Sequence, residues 1–369
     1  MTRIPVKQIV ACASALVLAA CSILPPGEAR RLNEIQFVGS HNSYKKAIDA
    51  PVMAAIAADD AGVAASLDYA HLPLARQLDL GMRTLELDVY YDPEGGRYAS
   101  PLGVTTIEGA TPYDPDGEMK RPGFKVMHVQ DIDFRSHCPL LRECLDTIRT
   151  WSVAHPDHLP LFVSINAKSD VIDRPGFVRP LPFDEAAFDA LDAEIRFGMG
   201  ELLIEPDEIR GRAKTLREAV LSGWPRLDKV RGRILFVLDD SAAKKATYVA
   251  GHPSLAGRAM FIDASEEAPE ASIRVVNDPV ARGAYIRSLV RQGFIVRTRA
   301  DADTVEARSG DTSRLEAALA SGAQIISTDY YVPDERLDTG YVARLPRGVV
   351  ARCNPVLVSR DCEVNSAGE

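Results

Sequence analysis

The chain has 369 residues, 46% of them hydrophobic, and a formal net charge of −9. That apolar content suits a large buried core, which excludes a disordered chain and a miniprotein held mainly by disulfides. Its 43 Lys and Arg residues are scattered and form no basic stripe, so no nucleic-acid partner is expected, and the chain reads as a monomer.

Arg3 and Lys7 precede a mostly apolar, small-residue run from Ile9 to Ala20. The run is too short for a stable membrane span and has the pattern of an export signal. It ends in Leu18-Ala19-Ala20-Cys21, which is similar to the lipobox of bacterial lipoproteins. The expectation is removal of residues 1–20, lipid on Cys21, a short tether over 21–28 and a single domain over 29–369. An ordinary secretory signal with an incidental cysteine is the competing reading. Ser22 favours, by analogy, the outer membrane, so the protein is read as an exported cell-envelope lipoprotein held to a membrane through Cys21. Beyond Cys12 and Cys21, the remaining cysteines fall as two local pairs. Disulfides joining Cys138 to Cys144 and Cys353 to Cys362 are expected for an exported chain, although three connectivities are possible.

The predicted elements alternate in chain order. IQFVGS from Ile35 reads as a strand, LARQLDLG as a helix ending at Gly81, and TLELDVYY from Thr84 as a second strand. The stretch from Asp92 to Gly123, rich in Gly, Pro, Asp and Tyr, holds no convincing helix and predicts a long loop. FKVMHV from Phe124 is the third predicted strand, followed by the helix LLRECLDTIRTW from Leu140 and the strand LFVSIN from Leu161. Helices over FDEAAFDALDAEI from Phe183 and TLREAVLSGW from Thr215 come next, then strands at RILFVLDD from Arg233, AMFIDA from Ala259 and FIVRTR from Phe294. A helix from an N-cap at Asp311 to Gly322 and a strand from Gln324 close the pattern. The runs are nearly continuous in apolar residues, as in strands buried on both faces. Eight of them, with helices between most, predict an irregular (β/α)8 TIM barrel.

Three segments carry the chemistry. Glu86 and Asp88 are two apart on a strand and share one face. Inward-facing carboxylates without a cation are costly, and oxygen-only ligands suit Ca²⁺ or Mg²⁺ better than zinc. A surface pair held by Arg or Lys is the bland alternative. His41 and Asn42 follow the first strand and His128 ends the third, where a barrel gathers its catalytic groups. Asn42 can offer a carbonyl oxygen to the same ion. Asp239, Asp240, Asp263, Arg299 and Asp329 also end strands, and Arg299 ranks first among them as a substrate contact.

Together, Ser40-His41-Asn42-Ser43-Tyr44, Leu85-Glu86-Leu87-Asp88 and His128 resemble the phosphatidylinositol-specific phospholipase C superfamily, in particular its calcium-dependent bacterial branch. RTRADADT from Arg297 and ALASGAQIISTDYY from Ala318 are similar to that branch's last two strands. The resemblance implies a PLC-like phosphodiesterase barrel in which Asn42, Glu86, Asp88 and Asn166 hold Ca²⁺, with His41 and His128 flanking the phosphorus. It implies attack by the inositol 2-hydroxyl, His128 as acid and Glu86 as a candidate base, and release of diacylglycerol and a cyclic inositol phosphate. Asn166 replaces the usual acidic ligand on the fourth strand and cannot accept a proton. Asp170 or a later carboxylate is then an alternative base. Lys168 shares the face of Asn166, where it can contact a phosphate, neutralise the acidic pair, or both. The metal-independent branch places an arginine where the ion would sit, and no basic residue lies inside the second motif. Two further readings remain open: a glycerophosphodiesterase-like hydrolase of another phosphodiester, and a surface lipoprotein that binds a phosphate ligand without turnover.

Overall fold

The computed structural model describes residues 30–360 and 362–364; the signal, Cys21 and the tether lie outside them. Ten strands occur among the described residues: β1 (Ile35–Ser40), β2 (Thr84–Tyr90), β3 (Lys125–Val126), β4 (Leu161–Ala167), β5 (Ile234–Leu238), β6 (Met260–Ile262), β7 (Ile273–Val275), β8 (Ile295–Arg299), β9 (Ile325–Thr328) and β10 (Ala351–Cys353). They form two sheets ordered β10-β1-β9-β8-β7 and β3-β2-β4-β5-β6. Eight strands are parallel to their sheet neighbours, while β10 pairs antiparallel with β1 and β3 antiparallel with β2. Where the sheets meet, a parallel bridge joins Asp263 to Ile273, and the Arg83 amide donates to Val38 O at 3.1 Å. The eight parallel strands therefore follow each other in the circular order of an irregular TIM-type barrel.

Seven of the eight predicted runs become parallel barrel strands. The exception is FKVMHV. Only Lys125 and Val126 pair, antiparallel to β2, so His128 stands in a turn beyond a two-residue edge strand. The reason is the long excursion from Asp92 to Gly123, which turns the chain back so that it returns in the opposite sense. The eighth barrel strand is instead β7, a three-residue run whose central Arg274 interrupts the apolar pattern. Within the excursion only single turns of helix form, at Leu102–Thr105 and Glu118–Lys120.

The predicted helices form at Leu74–Asp79, Leu141–Ala154, Glu185–Met199, Leu216–Ser222 and Ser313–Ser321. Asp184 and Thr215 cap two of them through their side chains. The last helix starts two residues beyond Asp311, whose carboxylate still accepts the Ser313 amide at 2.8 Å. Both expected disulfides are present. No helix among the described residues is long and apolar enough to cross a membrane.

Strand register decides what faces the barrel axis. Because alternate side chains share a face, the pairings of Phe37 with Ile325, Gly39 with Ser327, Arg299 with Ser327, Glu86 with Ser164 and Asp88 with Asn166 place these residues on one common face. Its lower part is apolar, and Phe37 and Phe162 meet there with ring centroids 5.5 Å apart. The charged residues all come later along their strands. Gly39 belongs to the same face. A Cβ there would lie 2.2 Å from Thr84 Cγ2 and 2.3 Å from Thr84 O, so only glycine lets β1 approach β2.

Candidate active site

The C-terminal ends of β1, β2, β4, β8 and β9 bring together the residues read from sequence. His41 follows β1, and its Nδ1 lies 2.8 Å from Asp329 Oδ1 at the end of β9. Arg299, from β8, donates to Asp329 Oδ2 at 2.8 Å and approaches His41 Nε2 at 3.4 Å. Burial would raise the Asp329 carboxyl, but His41 and Arg299 outweigh it and hold it well below the usual carboxylate range. An ionised Asp329 only accepts, so Nδ1 of His41 carries the donated hydrogen. Arg299, ranked as a substrate contact, is thus engaged with the His41–Asp329 pair.

Glu86 and Asp88 both point inward and are buried. Each is met by a cation of the protein. Arg297 on β8 donates to Glu86 Oε2 at 2.7 Å, and Lys168 Nζ lies 3.2 Å from Asp88 Oδ2. No basic residue is present in the second motif itself; the positive charge arrives from other strands. Burial pushes the Glu86 carboxyl up, yet His41, Arg297 and Arg299 together bring it below its ordinary value. Glu86 Oε1 also lies 3.6 Å from His41 Nε2. The turn carrying His41 and Asn42 is clamped to β2, because the Ser43 amide donates to Glu86 O at 3.0 Å and Ser43 Oγ accepts the Glu86 amide at 2.8 Å.

Asn42 adopts φ +46° and donates its amide to the Tyr69 hydroxyl at 2.7 Å, while its own oxygen meets only the Tyr44 hydroxyl at 3.4 Å. Asn166 pairs in register with Asp88 and donates its amide to Asp239 O at 3.0 Å. Burial pushes the neighbouring Asp239 carboxyl up to about 6, with Arg297 opposing the rise. Asp170 has no hydrogen bond to this cluster through its side chain among those observed; its backbone oxygen receives Gln130 at 3.4 Å.

His128 is oriented differently. Its Nδ1 lies 2.8 Å from Asp133 Oδ2, and that oxygen is 3.3 Å from the buried Lys45 ammonium. Lys45 donates in turn to Leu67 O at 2.9 Å and Tyr69 O at 2.8 Å and sits 4.6 Å from the centre of the Tyr69 ring. Tyr69 thus joins the His128 group to Asn42 and His41. Sequence reasoning had not assigned Arg297, Asp133, Lys45 or Tyr69 to the site, and it offered Asp329 only as one of several strand-end candidates. For Asp133 a signal existed, a carboxylate five residues beyond the histidine in HVQDID. For Arg297 the signal was the alternation Ile295, Arg297, Arg299, which turns from apolar to charged along one face.

Among the described residues, no three His, Cys, Asp or Glu side chains are placed to hold a metal ion. The donors selected from sequence are instead two carboxylates and two amides, Asn42, Glu86, Asp88 and Asn166. Asp88 Oδ1 is buried and has no hydrogen-bond partner. An orphaned carboxylate oxygen in an all-oxygen donor set fits a hard cation such as Ca²⁺. Such an ion would share Asp88 with Lys168 and Glu86 with Arg297.

The sequence matches the family described as phosphoinositide phospholipase C, Ca²⁺-dependent, over residues 30–355. Solved structures of the same fold include the calcium-dependent phosphoinositol-specific phospholipase C of a Pseudomonas species, in a myoinositol complex. It has a TM-score of 0.54 and 15% identity over 89% of this chain and 96% of that one. The Ca²⁺-dependent phosphatidylinositol-specific phospholipase C of Streptomyces antibioticus has a TM-score of 0.52 and 18% identity, covering 82% and 96% of the two chains. At these identities the structural likeness carries the fold alone. No curated protein matches the sequence. Because the family match runs from the first described residue to just past β10, it takes in the whole barrel and every strand end described above, and the chain belongs to the Ca²⁺-dependent phosphoinositide phospholipase C family of phosphoric diester hydrolases.

Proposed function

We propose that this enzyme cleaves phosphatidylinositol-type lipids by internal attack of the inositol 2-hydroxyl on phosphorus. The observation that carries the reading is the His41–Asp329 pair, whose imidazole presents Nε2 beside the acidic pair. The 2-hydroxyl gives its proton to His41 Nε2 as its oxygen bonds to phosphorus. The bond to the diacylglycerol oxygen breaks, and His128, as imidazolium held by Asp133, protonates that oxygen. The product is a cyclic inositol phosphate, which water opens with the two histidines in reversed roles. His41 suits the role of base better than Glu86, because the Glu86 carboxylate is already occupied by the Arg297 guanidinium at 2.7 Å. Arg299 keeps Asp329 ionised and so keeps His41 in the required tautomer.

Asn42, Glu86, Asp88 and Asn166 are the residues that would hold Ca²⁺. When bound, the ion supplies Lewis-acid stabilisation of charge on the phosphoryl oxygens and acidifies the 2-hydroxyl. Phosphorus NMR of phosphatidylinositol turnover, first with calcium and then with a chelator, tests both parts. A cyclic phosphate is expected with calcium and a loss of turnover with chelator. A non-cyclic product from the outset would refute internal attack, and full turnover in chelator would refute the metal role. His41→Ala and His128→Ala should each cost on the order of 10²–10⁴ in rate. Lipid attachment at Cys21, placing the enzyme at the outer membrane as a monomer, is part of the same proposal and rests on the Leu18–Cys21 motif. Loss of fatty-acid labelling in Cys21→Ser would support the anchor, and unchanged labelling would reject it.

A further inference from the structure

The two cations on the acidic pair are held very differently. Arg297 is buried, and besides Glu86 it donates to Asn277 Oδ1 at 2.9 Å and Ser327 Oγ at 3.1 Å. It is locked on three sides. Lys168 stands past the end of β4, with its side chain 23% exposed over an Asp88 side chain that is 4% exposed. Asp88 is its one ion-pair partner among the described residues. Its four-carbon stem can carry the ammonium elsewhere at little cost, which a forked guanidinium fixed on three sides cannot do. Beneath it, Asp88 Oδ1 remains buried and unpartnered, so the lysine neutralises the carboxylate without satisfying it.

We propose that Lys168 is a movable counter-ion that couples cation binding to anion binding. Without a divalent ion it neutralises Asp88; when a divalent cation takes that carboxylate, the ammonium is released to the phosphate group of the substrate. The inference rests on the calcium reading above and extends it. Two positive centres a few ångströms apart on one partly buried carboxylate repel by kilocalories, so cation entry favours release of the lysine. A phosphodiester anion arriving next to the site gives the released ammonium a partner. By linkage, each ligand must then strengthen the other's binding by the same factor.

Isothermal titration of the protein with calcium chloride, with and without saturating myo-inositol 1-phosphate, tests the coupling in wild type, Lys168→Met and Lys168→Arg. In wild type the anion should tighten calcium binding on the order of tenfold. Lys168→Met should bind calcium on the order of tenfold tighter than wild type without the anion, and gain little when the anion is added. Lys168→Arg should keep most of the coupling. Lys168→Gln reports the same loss of charge if methionine disturbs the fold. Equal calcium affinity in wild type and Lys168→Met, or equal coupling in both, overturns the proposal and leaves the calcium reading standing. Absence of calcium binding in every variant overturns both.

Discussion

The His41 and His128 ends of the candidate site each pair an imidazole with a carboxylate, and they are built by opposite routes. His41 takes its carboxylate from a residue 288 positions away, and the guanidinium that supports it comes from a third strand. His128 takes its carboxylate from five positions away, within one turn of chain. The first arrangement exists only when β1, β8 and β9 stand side by side in register. The second is local in its bond, but its carboxylate also carries the buried Lys45, whose ammonium supports the loop around Leu67 and Tyr69. Removing a carboxylate at the His41 end should therefore be felt mainly in chemistry, and at the His128 end in chemistry and folding together.

Asp329→Asn is the strongest test of that contrast. It preserves shape but no longer selects the tautomer with Nδ1–H, so kcat should fall on the order of 10³–10⁴. The stability loss in urea should be smaller than for Asp133→Asn, because the Arg299 side chain left without its partner is 13% exposed whereas Lys45 is fully buried. Asp133→Asn comes next. A fall in kcat on the order of 10² should accompany a stability loss of about 3 kcal/mol in urea unfolding, because Lys45 would be left as an uncompensated buried charge. If the Asp133 variant keeps full stability, the two ends are built alike and the contrast fails.

His71 sharpens the comparison from behind the His41 end. Its ring stacks on Tyr331 at 5.4 Å, its Nε2 is 3.9 Å from Asp329 Oδ1, and neither ring nitrogen has a hydrogen-bond partner. Burial lowers its imidazole to about 4. In the unfolded chain the same group titrates near 6.5, so between these values the unfolded state binds more protons and stability falls as pH falls. His71→Phe should flatten the stability profile from about pH 6.5 to 4, removing up to about 3 kcal/mol of its slope, in denaturant melts at stepped pH. An unchanged profile would show that His71 is not the titrating group. The smallest effect concerns the β1 edge that carries His41. Gly39→Ala should destabilise the fold by about 2 kcal/mol through its clash with Thr84, measured by thermal unfolding. Wild-type stability in that variant would mean the edge can open without cost.

Much of the barrel was legible in the chain itself. Long, continuous apolar runs such as Leu161–Ala167 and Ile234–Leu238 announce strands covered on both faces, and helical spacing in FDEAAFDALDAEI announces the helix Glu185–Met199. Short elements were not legible. β7 is three residues long with a charge in its middle, and β3 is an edge pair created by a returning loop. Their existence depends on neighbours rather than on local composition. The histidines, the acidic pair and Asn42 stood out because charged or amide groups at the ends of apolar runs need a reason. Their partners stood out less, since Asp329 was one of several strand-end carboxylates and Arg297 looks ordinary until the register is known.

Strand periodicity by itself settled which residues share a face, because alternation is a property of the extended backbone. It therefore placed Glu86 with Asp88, and Asn166 with Lys168. Only the assembled barrel decided who meets whom across that face. The parallel ladders of β8 and β9 bring Arg297 to Glu86 and Asp329 to His41, contacts that cost hundreds of residues of loop closure and leave no local trace. Charge identity is written residue by residue, while charge compensation is a property of the packed interior.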